Sequence, residues 1–325
     1  MKLIKTEDAV GHVLCHDMTQ IIRGVTKDAR FRKGHIVTKE DIPVLLSMGK
    51  ENLYVWEKNE NMLHEDEAAC ALAEMCLNDG LFIAGEPREG KIEIKAQIDG
   101  LLKVDDRRLT AVNSLGEMMI ATRHGNFPVK KGDVVAAMRV IPLVIEKEKM
   151  DKARVACGEE PLLRILPFGK VKAAIAVTGS EVAGGRIEDK FGPVVEVKMS
   201  EYGAEVICKK IVPDDMTAIA EAVADMAEAG ADVILCTGGM SVDPDDRTPG
   251  AIKSIGARIV TYGAPVLPGA MFLLAYYEKG GRSIPVMGLP GCVMYSKRTV
   301  FDLILPRVLA GDEIDDIGSV SYTHP

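Results

Sequence analysis

The stretch from Asp232 to Ile252 restricts the fold more than any other part of the chain. Asp232 to Cys236 is a short apolar run of β-branched character, with the length and composition of a fully buried strand. Gly238-Gly239 then supplies backbone that can take positive φ and let a ligand approach. Thr248-Pro249 reads as a helix N-cap with proline at the first helical position. A buried strand that passes through a glycine turn into a helix fits a parallel α/β sheet. There such turns lie at the carboxyl ends of the strands, where backbone N–H groups and helix N-termini favour an anion. The same loop carries Asp243, Asp245 and Asp246. Carboxylates beside an anion repel it unless a cation such as Mg²⁺ sits between them, with water and phosphate oxygens completing its octahedron. The pattern points to a phosphorylated ligand handled with a divalent metal, and the alternative is a solvated acidic turn.

The flanking sequence fills in the sheet. Lys172 to Val177 is a second buried strand, ending in Thr178-Gly179-Ser180-Glu181. Pro193 to Tyr202 reads as a helix closed by Gly203, and Glu205 to Cys208 as a strand. Met216, Ile219, Ala220, Val223, Met226 and Ala227 recur at helical spacing up to Gly230. A helix over 249–255, a strand Arg258 to Tyr262, a strand pair Met271 to Tyr277 and Ile284 to Met287, and a helix from Met294 to Leu309 complete the expectation. Alternation of this kind predicts a three-layer, mostly parallel α/β sheet. Three loops should open on one edge: Thr178 to Glu181, Thr237 to Ser241 with Asp246, and Gly288-Leu289-Pro290-Gly291. A cleft at the carboxyl edge needs several such loops at once.

The earlier chain differs in character. Residues 1–60 read as a small α+β unit, with Thr38 and Asp41 in a capping pattern ahead of the Ile42, Leu45, Leu46 stripe and a strand Leu53 to Trp56. His12, Cys15 and His16 invite a metal reading, but nothing around Gly11 and Val13 supports the helix it needs. Residues 61–165 open with a helix from Glu65 to Leu77. Short β runs spaced by turns follow from Leu81 to Val144, including Arg108 to Val112, and predict a barrel or sandwich-like domain ending in a charged linker. The α/β domain occupies 166–311, and 312–325 form a tail.

Composition limits the partners. With 48 acidic and 40 basic residues, a net charge of −8 disfavours nucleic acid and anionic membrane. No apolar run is long enough to span a bilayer, and the amino terminus lacks a signal-peptide core. Seven cysteines without a C-x-x-C pair fit reduced thiols in a cytoplasmic protein.

Taken together, TGSE (178–181), GRIED (185–189), TGGMSV (237–242), DRTP (246–249) and GLPG (288–291) resemble the molybdopterin-binding domain shared by molybdopterin molybdenumtransferases and adenylyltransferases. The resemblance covers roughly the last 145 residues. It implies that Glu181 and Asp246 serve the reaction centre and a metal, with Mg²⁺ as cofactor and molybdopterin or molybdate as ligand. By the same motifs, Thr178, Gly179, Ser180 and Asp189 contact the pterin and its phosphate from one side. Thr237, Gly238, Gly239 and Ser241, with Gly288, Pro290 and Gly291, contact it from the others. The resemblance also implies a homo-oligomer, dimer or trimer. The departures are specific. Leu267 and Ala270 stand where the molybdenumtransferases have two lysines, Cys292-Val293 follow GLPG in place of Asn-Pro, and the family's aspartate-containing amino-terminal motif is missing. The functional expectation is therefore a molybdenumtransferase-like protein of cofactor biosynthesis or delivery. The alternatives are a non-catalytic carrier, sensor or molybdoenzyme partner, or a nucleotide-phosphate hydrolase on the same fold.

Overall fold

The computed structural model describes residues 2–22, 26–55, 61–241, 243 and 246–315. Trp56, Val242, Asp245 and positions 316–325 of the expected tail lie outside the described residues. Among the described residues no helix is long and apolar enough to cross a membrane. The chain forms two compact units, one of 1–98, 104–124 and 131–164, the other of 99–103, 125–130 and 165–325. They cut the chain differently from the four consecutive segments expected above. The reason is that strands Gly100–Val104 and Phe127–Val129 join Leu163–Pro167 in a three-stranded sheet. A Cβ on Gly100 would lie 2.3 Å from the Leu166 carbonyl oxygen, so only glycine admits that pairing.

In the first unit, Lys2–Lys5 pairs antiparallel with Asn52–Val55, and Met18–Ile22 with Thr26–Phe31, over a core of Leu14, Met18, Val37, Leu45 and Leu53. Val13 and Leu14 form extended bridges to Ile36 and Val55, so His12 and His16 do not share a helix face. The helix Asp41–Ser47 starts where Asp41 accepts the Thr38 N–H at 2.8 Å.

The barrel or sandwich expected between Leu81 and Val144 does not form as such. Leu81–Ile83, Lys91–Ala96, Val134–Val140 and Met118–Thr122 make an open four-stranded antiparallel sheet in that spatial order. Arg108 to Val112, expected as a strand, lies in the helix Asp106–Asn113. Asp105 decides this by accepting the Arg108 N–H at 2.9 Å as N-cap and pairing with its guanidinium at 2.8 Å.

His64 caps the helix Glu65–Glu74, accepting the Asp66 N–H at 3.2 Å through Nδ1, while Glu67 accepts the His64 N–H at 2.9 Å. With Nδ1 an acceptor, the network assigns the ring proton to Nε2, which donates to the Cys15 carbonyl. Burial lowers the His64 pKa, which keeps the ring neutral and fit for this role. Ligand atoms of His64, Glu65 and Asp66 lie within 4.8 Å of one another, as a metal would need. The Lys33 ammonium already fills that place, 2.9 Å from His64 Nδ1 and 2.8 Å from Asp66.

In the second unit the strands are β1 (Lys172–Thr178), β2 (Glu205–Val212), β3 (Val233–Thr237), β4 (Arg258–Tyr262), β5 (Leu273–Lys279) and β6 (Arg282–Leu289). The helices are α1 (Ser180–Ala183), α2 (Phe191–Ser200), α3 (Met216–Glu228), α4 (Thr248–Ser254) and α5 (Val300–Leu309). The sheet runs β2-β1-β3-β6-β5-β4, with parallel pairing from β2 to β6 and antiparallel pairing of β5 to both its neighbours. Period-two alternation divides the side chains between two faces. Ile175, Val177, Val233 and Leu235 pack on α2 and α5, whereas Ala174, Ala176, Ile234 and Cys236 pack on α3 and α4. Three layers result. The helix expected from Pro193 begins earlier, because Asp189 accepts the N–H groups of Phe191 and Gly192 at 2.9 and 2.8 Å. The one expected over Met294 to Leu309 is split into a 3₁₀ turn at Gly291–Met294 and α5, because Thr299 and Asp302 form a capping box that starts a new helix.

Burial, reinforced by Asp66, raises the Glu65 carboxyl to about 7. A raised carboxyl pKa contributes stability that is full below about pH 4.5 and is lost as pH rises through about 7. Glu65→Gln is therefore expected to raise the melting temperature at pH 8 and to match wild type at pH 5. Thermal melts at the two pH values check this, and an equal shift at both would contradict it.

Candidate functional site

Register sets the site's edge. Val177 pairs with Thr237 and Thr237 with Leu289, so β1, β3 and β6 end side by side. Because β5 runs against β6, its first residue Leu273 pairs with Gly288, which brings the β4–β5 turn to the same edge.

Threonine hydroxyls knit the strand ends together. Thr178 Oγ1 donates to the Thr237 carbonyl and Thr248 Oγ1 to the Gly238 carbonyl, each at 2.9 Å, and the two hydroxyl oxygens lie 3.4 Å apart. Gly238 has φ +85°, and a Cβ there would lie 2.4 Å from the Thr178 carbonyl oxygen. Gly239 has φ +57°, and a Cβ there would lie 2.8 Å from Thr248 Oγ1. Both conditions exclude a side chain. The Met240 thioether lies over Gly288, where a Cβ would be 2.5 Å from its sulfur. Close approach of a carbonyl at Gly238 and of side chains at Gly239 and Gly288 thus locks the first, second and third expected loops to one another.

The carboxylates are arranged around this knot. Glu181 is exposed on α1, with a carboxylate oxygen 3.3 Å from a Cβ built on Gly179, so it folds back over the end of β1. Ser180 donates its N–H to the Asp214 carboxylate at 2.7 Å, and the Asp214 N–H donates to Ser180 Oγ at 3.2 Å. Asp246 is half-buried and closes its own loop, accepting the Asp243 N–H at 3.1 Å while its N–H donates to the Asp243 carbonyl at 2.9 Å. The contact between Thr178 and Thr248 puts the Glu181 turn and the Asp246 loop on one lip. Pro290 is buried at the end of β6, and Gly291 beside it faces open space. Asp189 accepts the first N–H groups of α2 through Oδ1, while its buried Oδ2, 3.6 Å from the Lys209 ammonium, has no hydrogen-bond partner among the described residues.

Sequence reasoning missed two participants. Asp214 follows β2 next to Asp215, which caps α3 by accepting the Ala218 N–H; the doubled aspartate after Pro213 was the available signal. Tyr262, at the end of β4, donates its hydroxyl to the Ser241 carbonyl at 3.2 Å, with the Met240 carbonyl at 3.4 Å. No local pattern announced that contact.

Thr237 is fully buried, and its hydroxyl oxygen has no hydrogen-bond partner among the described residues. Burial pushes the neighbouring Cys236 thiol up to about 12, which removes it as a nucleophile near neutral pH. A cavity of about 330 Å³ lies at the carboxyl edge, between the β4–β5 turn and the start of α5, lined by Val266, Leu267, Pro268, Arg298 and Thr299 among others. Leu267 is 84% exposed there. A larger cavity of about 480 Å³ opens at the opposite edge, beside Val171, Asp232 and Gly311. Size alone would favour it, but its polar groups are engaged: Asp232 accepts the Lys172 N–H and the Tyr276 hydroxyl accepts the Ile314 N–H. The chemistry gathers at the carboxyl edge.

Comparison with known proteins singles out the same region. Residues 174–310 match the family model described as a probable molybdopterin binding domain, and residues 3–57 match one described as a domain of unknown function. The chain is 28% identical over 135 residues to a molybdopterin adenylyltransferase of Pyrococcus furiosus, covering 42% of this chain and 76% of that protein. It is 27% identical over 163 residues to a molybdopterin molybdenumtransferase of Nostoc sp., covering 48% of this chain and 36% of that protein. Among solved structures, the tungsten cofactor synthesizing protein MoaB from Pyrococcus furiosus is 25% identical, over 38% of this chain and 84% of that one, with a TM-score of 0.34. The chain therefore spans about a third of the molybdenumtransferase and about three quarters of the adenylyltransferase.

Two substitutions test the geometry. Gly238→Ala is expected to destabilise the protein by more than about 2 kcal/mol, read as a lower denaturant midpoint, because strain at positive φ adds to the clash with Thr178. Thr237→Val should raise the midpoint by about 1 kcal/mol equivalent, since it removes an orphaned buried hydroxyl. A drop would mean that the hydroxyl has a partner.

Proposed function

Because residues 174–310 belong to the molybdopterin-binding domain family, we propose that this chain binds a phosphorylated or adenylylated pterin at the carboxyl edge of its six-stranded sheet and acts in making or delivering the molybdenum cofactor. The observation that carries the reading is the glycine-walled knot of Thr178, Gly238, Gly239 and Thr248, with Glu181 and Asp246 on the same lip. Backbone so tightly held offers N–H groups and carbonyls in fixed positions. Such preorganised donors and acceptors suit a ligand whose charge lies on phosphate oxygens, with no covalent nucleophile needed. The buried Cys236 thiol is consistent with that chemistry.

Mg²⁺ is the metal this reading calls for. Asp246 and Glu181 would hold it, and the Met240 and Ser241 carbonyls add hard oxygen to the same lip. An all-oxygen set with few protein ligands suits an ion that keeps several waters and takes phosphate oxygens directly. When bound, Mg²⁺ neutralises phosphate charge. The chain's own groups orient the pterin: the glycine turns admit it, and the 330 Å³ cavity beside Leu267 gives an apolar wall to its ring. Molybdate would be cargo, and assembly as a dimer or trimer belongs to the same proposal.

A second reading, a non-catalytic carrier, sensor or molybdoenzyme partner, draws support from Leu267 and Ala270. An exposed leucine and an alanine cannot clamp an oxyanion as lysines would.

Oxidation of an extract of the purified protein is expected to release pterin fluorescence, with Mg²⁺-dependent rebinding of pterin. A protein that ignores pterin but binds a nucleotide would overturn the proposal. Asp246→Asn separates the two readings: a transferase loses turnover with binding largely intact, whereas a carrier changes at most in affinity.

A further inference from the structure

One row of the sheet runs Cys236, Gly288, Leu273, Tyr262, each residue paired with the next across β3, β6, β5 and β4. Met240 leaves the end of β3 and sets its thioether over Gly288, the second residue of that row. At the far end of the row, the Tyr262 hydroxyl reaches the carbonyls of Ser241 and Met240, at 3.2 and 3.4 Å. β3 and β4 lie three strand spacings apart, or about 14 Å. Four residues of fully extended chain span at most about the same distance. The loop therefore leans across the ends of β6 and β5 and is caught from the opposite side by the tyrosine. Without that hydroxyl, the thioether over Gly288 and the Thr248 bond to Gly238 would still hold its root, but its outer carbonyls would lose their partner. Asp243 and Asp246, bonded to each other, follow two and five residues after Ser241 on the stretch that leads to Thr248. Tyr262 is near enough to Asp246 to register its charge.

We infer that Tyr262 is a positioning residue for the candidate site: its hydroxyl fixes the backbone at Met240 and Ser241 and so sets where the Asp246 carboxylate stands relative to ligand and metal. This rests on the ligand and metal assignment made under Proposed function, but the tether can be tested without it.

The test uses Tyr262→Phe in the full chain, which keeps the ring and removes one oxygen. Tyr262 is 44% exposed, so little change in melting temperature is expected. The carbonyl ¹³C resonances of Met240 and Ser241, which accept the hydroxyl, should shift while those in β3 and β6 stay as in wild type. Mn²⁺, titrated alone and followed by its EPR signal, should bind roughly five- to tenfold more weakly, the scale of one lost hydrogen bond. In a double-mutant cycle with Asp246→Asn the two losses should be clearly less than additive, because the tyrosine acts through the aspartate. Unchanged carbonyl resonances at Met240 and Ser241 overturn the tether. Shifted resonances with unchanged Mn²⁺ affinity, or full additivity, overturn the positioning role. If wild type binds no Mn²⁺, the metal assignment fails, and the carbonyl resonances alone then decide the tether.

Discussion

The second unit depends on how closely the backbone at Gly238 approaches the end of the neighbouring strand. The Thr178 carbonyl stands where a Cβ would be, and the Thr178 hydroxyl is spent on the Thr237 carbonyl. From this one contact follow the positive φ at Gly238 and Gly239, the turn back toward Thr248, and the start of α4 one hydrogen bond away from the sheet. The arrangement differs from ordinary core packing. A core tolerates exchange of similar volumes, but two main chains this close tolerate no added atom.

Much of this was legible in sequence, for a physical reason. Buried parallel strands such as Val233–Thr237 must be continuously apolar, and turns with positive φ must hold glycine, so both leave residues that can be read directly. The three loops were found that way. Side-chain bonds, local or long-range, leave a weaker trace. Asp189 stands in a motif suited to a ligand, yet caps α2 from two residues ahead. Arg108 to Val112 has the apolar content of a strand, and Asp105 draws it into a helix. Tyr262 meets Ser241 across two intervening strands, and Asp214 meets Ser180 from the far side of β1. The last two pairings have no local period to betray them, whereas the two caps span only three residues and compete with the ligand and strand readings of the same stretch.

The carboxyl edge carries both hard oxygens and apolar surface. Acids and carbonyls line the glycine turns, while Leu267 and the neighbouring cavity are largely hydrocarbon. A ligand with a charged end and a flat, weakly polar body meets both conditions, whereas a simple inorganic anion would use only the first. The orphaned Thr237 hydroxyl belongs to the same balance. A buried group left unpaired lowers stability, and proteins keep such groups mainly where a binding partner or water completes them.

The three-stranded sheet of the second unit is assembled from pieces far apart along the chain. Gly100–Val104 and Phe127–Val129 leave the ribosome well before Leu163–Pro167, and Lys103 must wait longer still for Asp312, which it holds at 3.0 Å. The three strands can close once Pro167 is made, but the Lys103–Asp312 pair closes over some two hundred residues, and loop-closure entropy weighs against it. The charged stretch expected as a linker is the helix Lys147–Cys157, and a cut there would leave two strands of that sheet on one piece and one on the other. For this chain, a clean boundary in composition is not a seam at which the molecule can be divided.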